Sequence, residues 1–249
     1  MKLLSILLLT ITIVSCKERE APVTAQAIVD EAIVNSCNGN CDHATIDFTF
    51  RDRRYISKRD GGNYQYERIT TDSTGITRDI LTNDGFQRYK NDTLVKVPDS
   101  MAARYSNSIN SVIYFAQLPY GLNAPAAQKE LVGEATIKGE PYFEISVKFI
   151  KEEGGKDYED EFVYWIHKNN YTVDYLAYSY VTDGGGIRFR EAYNVRMVNG
   201  IRFADYNNYK PKSLDIALTD LDYLFENGEL NLLSKIETES VGVVLDLYN

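Results

Sequence analysis

The sequence predicts a mainly β domain, a curved antiparallel sheet covered by an N-terminal helix and a central helix-loop. Three observations carry this expectation. From Ala44 onward apolar and polar residues alternate, as in Ile46-Asp47-Phe48-Thr49-Phe50, the pattern of a strand with one face buried. Turn signals recur at short intervals, among them Asp60-Gly61-Gly62, Asp72-Ser73-Thr74-Gly75, Asn83-Asp84-Gly85, Asn91-Asp92 and Asn199-Gly200. Connections this short favour hairpins, because a parallel crossover needs a dozen or more residues. Two stretches, one N-terminal and one central, depart from this to helical spacing.

The chain opens Met1-Lys2 and continues with an apolar run from Leu3 to Val14. Spanning a hydrocarbon layer takes about 20 apolar residues, so this run reads as a signal-peptide core. Ile13-Val14-Ser15-Cys16 resembles the bacterial lipobox. That resemblance implies cleavage before Cys16 and a diacylglycerol on its thiol. An ordinary signal peptide with a chance cysteine is the alternative. The expected organisation is a signal peptide over 1–15, a charged tether with Pro22 over 16–23 and a single domain over 24–249. Lys17-Glu18-Arg19-Glu20 loosely resembles the export tag of Bacteroidota surface lipoproteins, with Arg19 interrupting it. The expected address is therefore the cell envelope, at the outer membrane, with contact to the membrane through the lipid anchor.

Thr24 is placed to cap a helix over 24–36, with Ala25, Ile28, Val29, Ala32 and Ile33 on one face. Asn35 to Asp42 stops it. Strands follow over Ala44–Phe50, Tyr55–Lys58, Tyr64–Thr70, Ile76–Leu81, Phe86–Tyr89 and Leu94–Val97. Met101, Tyr105, Ile109, Val112 and Ile113 then predict a helix ending near Leu118-Pro119. Leu118 to Pro125 is an apolar loop, although connecting loops are usually polar. Such a loop either packs as a plug or is held over an opening; it is expected to be the gate of a cavity, hinged at Gly121 and held shut by burial of Leu118 and Leu122. Strands resume over Glu130–Ile137, Tyr142–Ile150, Phe162–His167, Thr172–Val181, Ile187–Met197 and Ile201–Tyr209. Asp215 to Phe225 is ambiguous, and Leu232–Glu239 reads as one last strand.

The chain carries 36 acidic against 27 basic residues, a net charge of −9. That balance argues against nucleic acid, whose phosphates require Lys/Arg stripes. It also argues against docking on anionic lipid by charge alone. The densest acidic run, Asp157-Tyr158-Glu159-Asp160-Glu161, reads as a solvated strand end, since the glycine and spacing of a calcium loop are missing. Besides Cys16 there are Cys37 and Cys41, in Cys37-Asn38-Gly39-Asn40-Cys41. Outside the cytoplasm a disulfide is expected between them. Free thiols and a metal site are the alternatives, the latter lacking two ligands with only His43 nearby.

One helix, a long meander, a central helix with an apolar loop and a second meander resemble the lipoprotein-carrier (LolA/LolB-like) half-barrel fold. Phe48-Thr49-Phe50, and Asn83-Asp84-Gly85-Phe86 leading to Tyr89, carry the resemblance. Leu118-Pro119-Tyr120-Gly121-Leu122 is similar to an uncharacterised lipoprotein family of Bacteroidota. The resemblance implies a half-barrel whose concave side is closed by the two helical segments. Cys16 departs from a shuttling periplasmic carrier, because a tethered protein does not travel between membranes in the same way.

No catalytic or metal signature emerges. The two histidines, His43 and His167, fall in no two-histidine motif, and no phosphate loop or nucleophile elbow appears. Carboxylate pairs for glycosidic chemistry could be drawn from Glu144, Asp160, Glu161 or Glu191, but with 36 acids such pairing is expected by chance. The aromatic content is high, with 19 Tyr and 10 Phe. Tyr175, Tyr178, Tyr180 and Tyr193 fit either an ordinary core, a cavity lining or a glycan-stacking surface. The expectation is a non-enzymatic protein with no cofactor. It binds an apolar ligand, a lipid or acyl chain, met by Phe48, Phe50, Leu118, Tyr120, Leu122 and Tyr178. A structural or interaction subunit with a filled core is the alternative. Asp72-Ser73-Thr74, Asp92-Thr93-Leu94 and Asp99-Ser100-Met101 resemble the Bacteroidota O-glycosylation acceptor, at Ser73, Thr93 and Ser100.

Overall fold

A computed structural model describes residues 23–150, 160–181 and 184–246. Cys16, Gly154-Gly155, Asp183 and most of the acidic run 157–161 lie outside the described residues. Helix α1 (Ala25–Cys37) begins at Thr24, whose hydroxyl accepts from the Ala27 amide at 3.2 Å. It ends at Asn38, which turns left-handed at φ 48°. Cys37 and Cys41 are joined in a disulfide that closes the loop beyond it.

Strands β1 (Ala44–Phe50), β2 (Arg53–Asp60), β3 (Asn63–Asp72), β4 (Gly75–Thr82), β5 (Gly85–Lys90) and β6 (Thr93–Val95) form a continuous antiparallel meander. Helix α2 (Asp99–Ala116) crosses over from it. Gln117 terminates α2, and a 3₁₀ turn follows over Tyr120–Asn123. Pro119 explains the stop, since the residue before a proline is pushed out of the helical region. The second meander comprises β7 (Ala127–Ile137), β8 (Glu140–Phe149), β9 (Glu161–His167), β10 (Val173–Tyr180), β11 (Gly186–Val198) and β12 (Ile201–Lys210). The β11–β12 turn is Asn199-Gly200, both at positive φ, as a two-residue hairpin turn of this composition requires.

The ambiguous segment 215–225 is helical at its end, a 3₁₀ turn over Leu218–Asp220 leading into α3 (Leu221–Glu226). The single last strand expected over 232–239 is corrected. The chain forms β13 (Asn231–Ile236) beside β12 and then β14 (Thr238–Leu245) beside β1. At Glu237 it leaves one seven-stranded sheet for the other. A polar knot holds this corner. Asp205, 3% exposed, accepts from the Thr238 amide at 3.0 Å, and Arg196 donates to the Thr238 carbonyl at 2.6 Å. The polar run Glu237-Thr238-Glu239-Ser240 interrupts the apolar pattern here, and these partners fix where the chain turns from one sheet to the other.

The fold class is as expected, mainly β and antiparallel with no closed barrel. The curved sheet is divided in two. Helix α1 seals one end: Ile28, Val29 and Ala32 share a core with Ile145, Tyr164 and Leu176 of the second sheet. A second core joins Ile46, Phe48 and Tyr55 to Ile109 and Ile113 of α2. A third, on the outer face of the second sheet, packs Trp165 and Phe189 under Leu221.

Candidate functional site

Between the two sheets, beneath α2, lies a cavity of about 1240 Å³. Its walls follow from the period of two. On β10 Tyr178 and Tyr180 face it, on β11 Arg188 and Arg190, on β12 Ala204, Tyr206 and Asn208, and on β13 Ser234 and Ile236. Tyr175, at odd spacing, points the other way into the outer core. Phe162 anchors an aromatic cluster, its ring 5.7 Å from both Phe149 and Tyr178 and 6.4 Å from Phe115. Helix α2 contributes Ile113, Tyr114, Phe115 and Gln117.

Three of the six residues expected to meet a ligand, Phe50, Tyr120 and Tyr178, line this cavity. The other three do not. Phe48 is fully buried and stacks on Tyr55 at 5.6 Å. Leu118 and Leu122 are 4% and 0% exposed, packed with α1 in the core. The loop 118–125 is thus packed shut at Leu118 and Leu122, while its Tyr120, Gly121 and Ala124 border the cavity. Its polar atoms reinforce the packing: Tyr120 donates to Asp42 at 2.5 Å, Asn123 donates to Asp30 at 2.6 Å, and Lys129 donates to the Leu122 carbonyl at 2.9 Å. Burial and the Asp42 bond push the Tyr120 hydroxyl well above the ordinary tyrosine range.

The cavity holds residues that the sequence did not single out. Five arginines line it (51, 59, 104, 188 and 190), against one carboxylate, Asp160. In a chain with an excess of acids, this sets the cavity apart from the rest of the surface. Arg59 and Arg190 are 6% and 7% exposed. Among the described residues neither forms an ion pair. Each is held by rings and neutral groups instead. Arg59 sits 4.2 Å from the Tyr120 ring and donates to the Tyr66 hydroxyl at 2.9 Å and to Gln117 Oε1. Arg190 lies 4.1 Å from the Phe115 ring and donates to the Tyr178 hydroxyl at 2.8 Å. Cation–π contact offsets part of the desolvation of a buried cation. Gln117 Nε2, Arg190 Nε and Asn208 Oδ1 are buried without a hydrogen-bond partner.

The remaining candidates are built into the scaffold. His167 accepts from the Asn169 and Asn170 amides through Nδ1 and faces Glu140 through Nε2, which orders a turn. Glu144 accepts from the Trp165 indole at 3.0 Å under α3, away from the cavity. Glu191 is held by Lys138, Asn207 and Tyr209; burial alone would raise its pKa, but these bonds bring it below the usual range. Glu161 pairs with Lys148. No group of three or more His, Cys, Asp or Glu among the described residues is placed to hold a metal ion. A smaller recess of about 470 Å³ between the first half of α2 and the first sheet contains Arg68, Asp79 and Arg88, with Asp79 paired to both arginines. Ser73, Thr93 and Ser100 are all exposed, at a turn, a strand start and the first turn of α2.

Two antiparallel meanders closed by an N-terminal helix and a central helix-loop, with a cavity between them, define the LolA-like half-barrel class of fold. A LolA-superfamily protein from Nitrosomonas europaea superposes with a TM-score of 0.50 at 13% identity, covering 91% of this chain and 96% of that one. A DUF1329 family protein from Desulfovibrio piger ATCC 29098 superposes with a TM-score of 0.53 at 12% identity, covering 90% and 95%. At these identities the likeness is one of fold. The chain itself belongs to DUF6503, a family of unknown function whose model matches residues 2–238. No curated protein is matched.

Proposed function

We propose that this chain is a cell-envelope lipoprotein, anchored through a diacylglycerol on Cys16 at the outer membrane, that binds a lipid or acyl chain between its two sheets without acting on it chemically. The observation that carries the reading is the cavity of about 1240 Å³ floored by Phe149, Phe162, Tyr178 and Ile236. A core meant only for stability would fill this space, because interiors pack to the density of organic crystals. The LolA-superfamily likeness supports the same reading, since that fold places a concave sheet under a helical cover. The alternative, an interaction subunit with a filled core, calls for no such space.

The test is purification of the chain from residue 17 onward without detergent, followed by solvent extraction and mass spectrometry. A co-purifying lipid, or stoichiometric uptake of a fluorescent fatty acid, is expected. If the protein is empty and takes up no acyl probe, the binding reading fails and the interaction-subunit reading replaces it. The anchor is tested separately: Cys16→Ser is expected to give an unprocessed precursor or a soluble product.

A further inference from the structure

We infer that the occupant of the cavity is an amphiphile with an acidic head, a carboxylate or a phosphate on an alkyl chain, and that its head is received by Arg190. The inference rests on the binding reading above and narrows it. Arg190 is 7% exposed, has no carboxylate partner among the described residues, and leaves its Nε–H without an acceptor. A buried guanidinium can only donate and stays charged at any physiological pH. Its surroundings are the faces of Phe115 and Tyr178 and one hydroxyl, which lower the cost of burial without neutralising the charge.

The register brings a second group alongside. Arg190 on β11 is directly opposite Asn208 on β12, and Asn208 is opposite Ser234 on β13. Asn208 Nδ2 donates to Ser234 Oγ at 3.1 Å, and its Oδ1 has no partner. Across the cavity lies Gln117. Its Oε1 accepts from Arg59, so its Nε2 faces away from that guanidinium as a buried donor without an acceptor. The cavity therefore sets the guanidinium of Arg190, which has no ion-pair partner among the described residues, beside apolar rings. A neutral hydrocarbon would leave that charge uncompensated; an anionic head pairs with it through charge-assisted bonds.

The test uses the neutral dye N-phenyl-1-naphthylamine in the detergent-free protein and displaces it with dodecanoate, dodecyl phosphate or dodecan-1-ol, all below their micellar concentrations. Dodecanoate or dodecyl phosphate is expected to displace at least tenfold more strongly than the alcohol, and whichever is stronger identifies the head. In Arg190→Gln this preference, read as the ratio of acid to alcohol displacement within the same variant, is expected to fall to threefold or less. Equal displacement by acid and alcohol in the wild type overturns the inference and leaves the acyl-binding reading standing. That comparison needs no variant, so a poorly folding Arg190→Gln does not shield the proposal. A preference that survives in Arg190→Gln overturns the assignment to Arg190. Displacement by inorganic phosphate at the same concentrations also overturns it, since no chain would then be required. Failure to bind the dye or any of the three ligands overturns both readings together.

Discussion

Gly121→Ala discriminates between a hinged gate and a packed plug by the sign of its effect. If the loop 118–125 were open and mobile, the alanine would restrict the unfolded chain and stabilise the protein by about 0.4–1 kcal/mol. The structure predicts the opposite. A Cβ on Gly121 would lie 2.6 Å from Cδ2 and Cε2 of the Tyr114 ring. That ring cannot yield easily, because its hydroxyl shares a 2.7 Å hydrogen bond with Tyr164 and its edge packs on Phe149 at 6.2 Å between centroids. Burial has also pushed the Tyr164 hydroxyl well above its ordinary pKa, so it remains a neutral partner. Overpacking of this kind costs about 1–3 kcal/mol. For a domain of this size that is a fall in Tm of roughly 2–12 °C, at about 2–4 °C per kcal/mol. Thermal and urea unfolding of the single variant and of Gly121→Ala with Tyr114→Leu form a coupled pair, in which removing the ring should remove most of the penalty. An unchanged or raised Tm in Gly121→Ala, or an identical penalty in both tyrosine backgrounds, would refute the packed-plug reasoning.

Asp79 is 2% exposed between Arg68 and Arg88, so Asp79→Ala is expected to cost about 3–5 kcal/mol in urea unfolding by leaving two cations uncompensated. Loss of the Cys37–Cys41 bridge by Cys→Ser substitution should cost only about 2 kcal/mol, because so short a loop removes little unfolded-state entropy; unfolding with and without reductant measures it. The Glu144 carboxyl has a raised pKa, first through burial and then through the charges of Asp222 and Asp220, opposed by the Trp165 bond. The folded state therefore holds its proton more tightly than the unfolded state, and Glu144 weakens the fold progressively as pH rises above the unfolded value, in full once pH has passed its raised folded pKa. Glu144→Gln keeps an acceptor for Trp165 and is expected to raise Tm at pH 7, with the gain vanishing below about pH 4.3, where both states are protonated; a gain independent of pH would count against burial as its cause.

The local grammar of this protein is written in its sequence. Thr24 and Asn38 delimit α1 because a hydroxyl satisfies an otherwise orphaned amide and asparagine tolerates the left-handed turn. Asn199-Gly200 makes a hairpin because both positions need positive φ. The alternation through Phe48 and Phe50 predicted the strand and one shared face for both rings, yet not where along that face the core gives way to the cavity: Phe48 is buried and Phe50 lines the wall. Three decisions belonged to tertiary structure alone. The break at Glu237 depends on Asp205 and Arg196, which come from strands some 30 to 40 residues earlier. Leu118 and Leu122 of the apolar loop are buried because α1, distant in sequence, supplied the surface that covers them. Arg190 alternates with Phe189 as a solvent-facing residue would. Periodicity distinguishes the two faces of a strand, but only the position of the opposing sheet determines whether the polar face meets water or encloses a cavity.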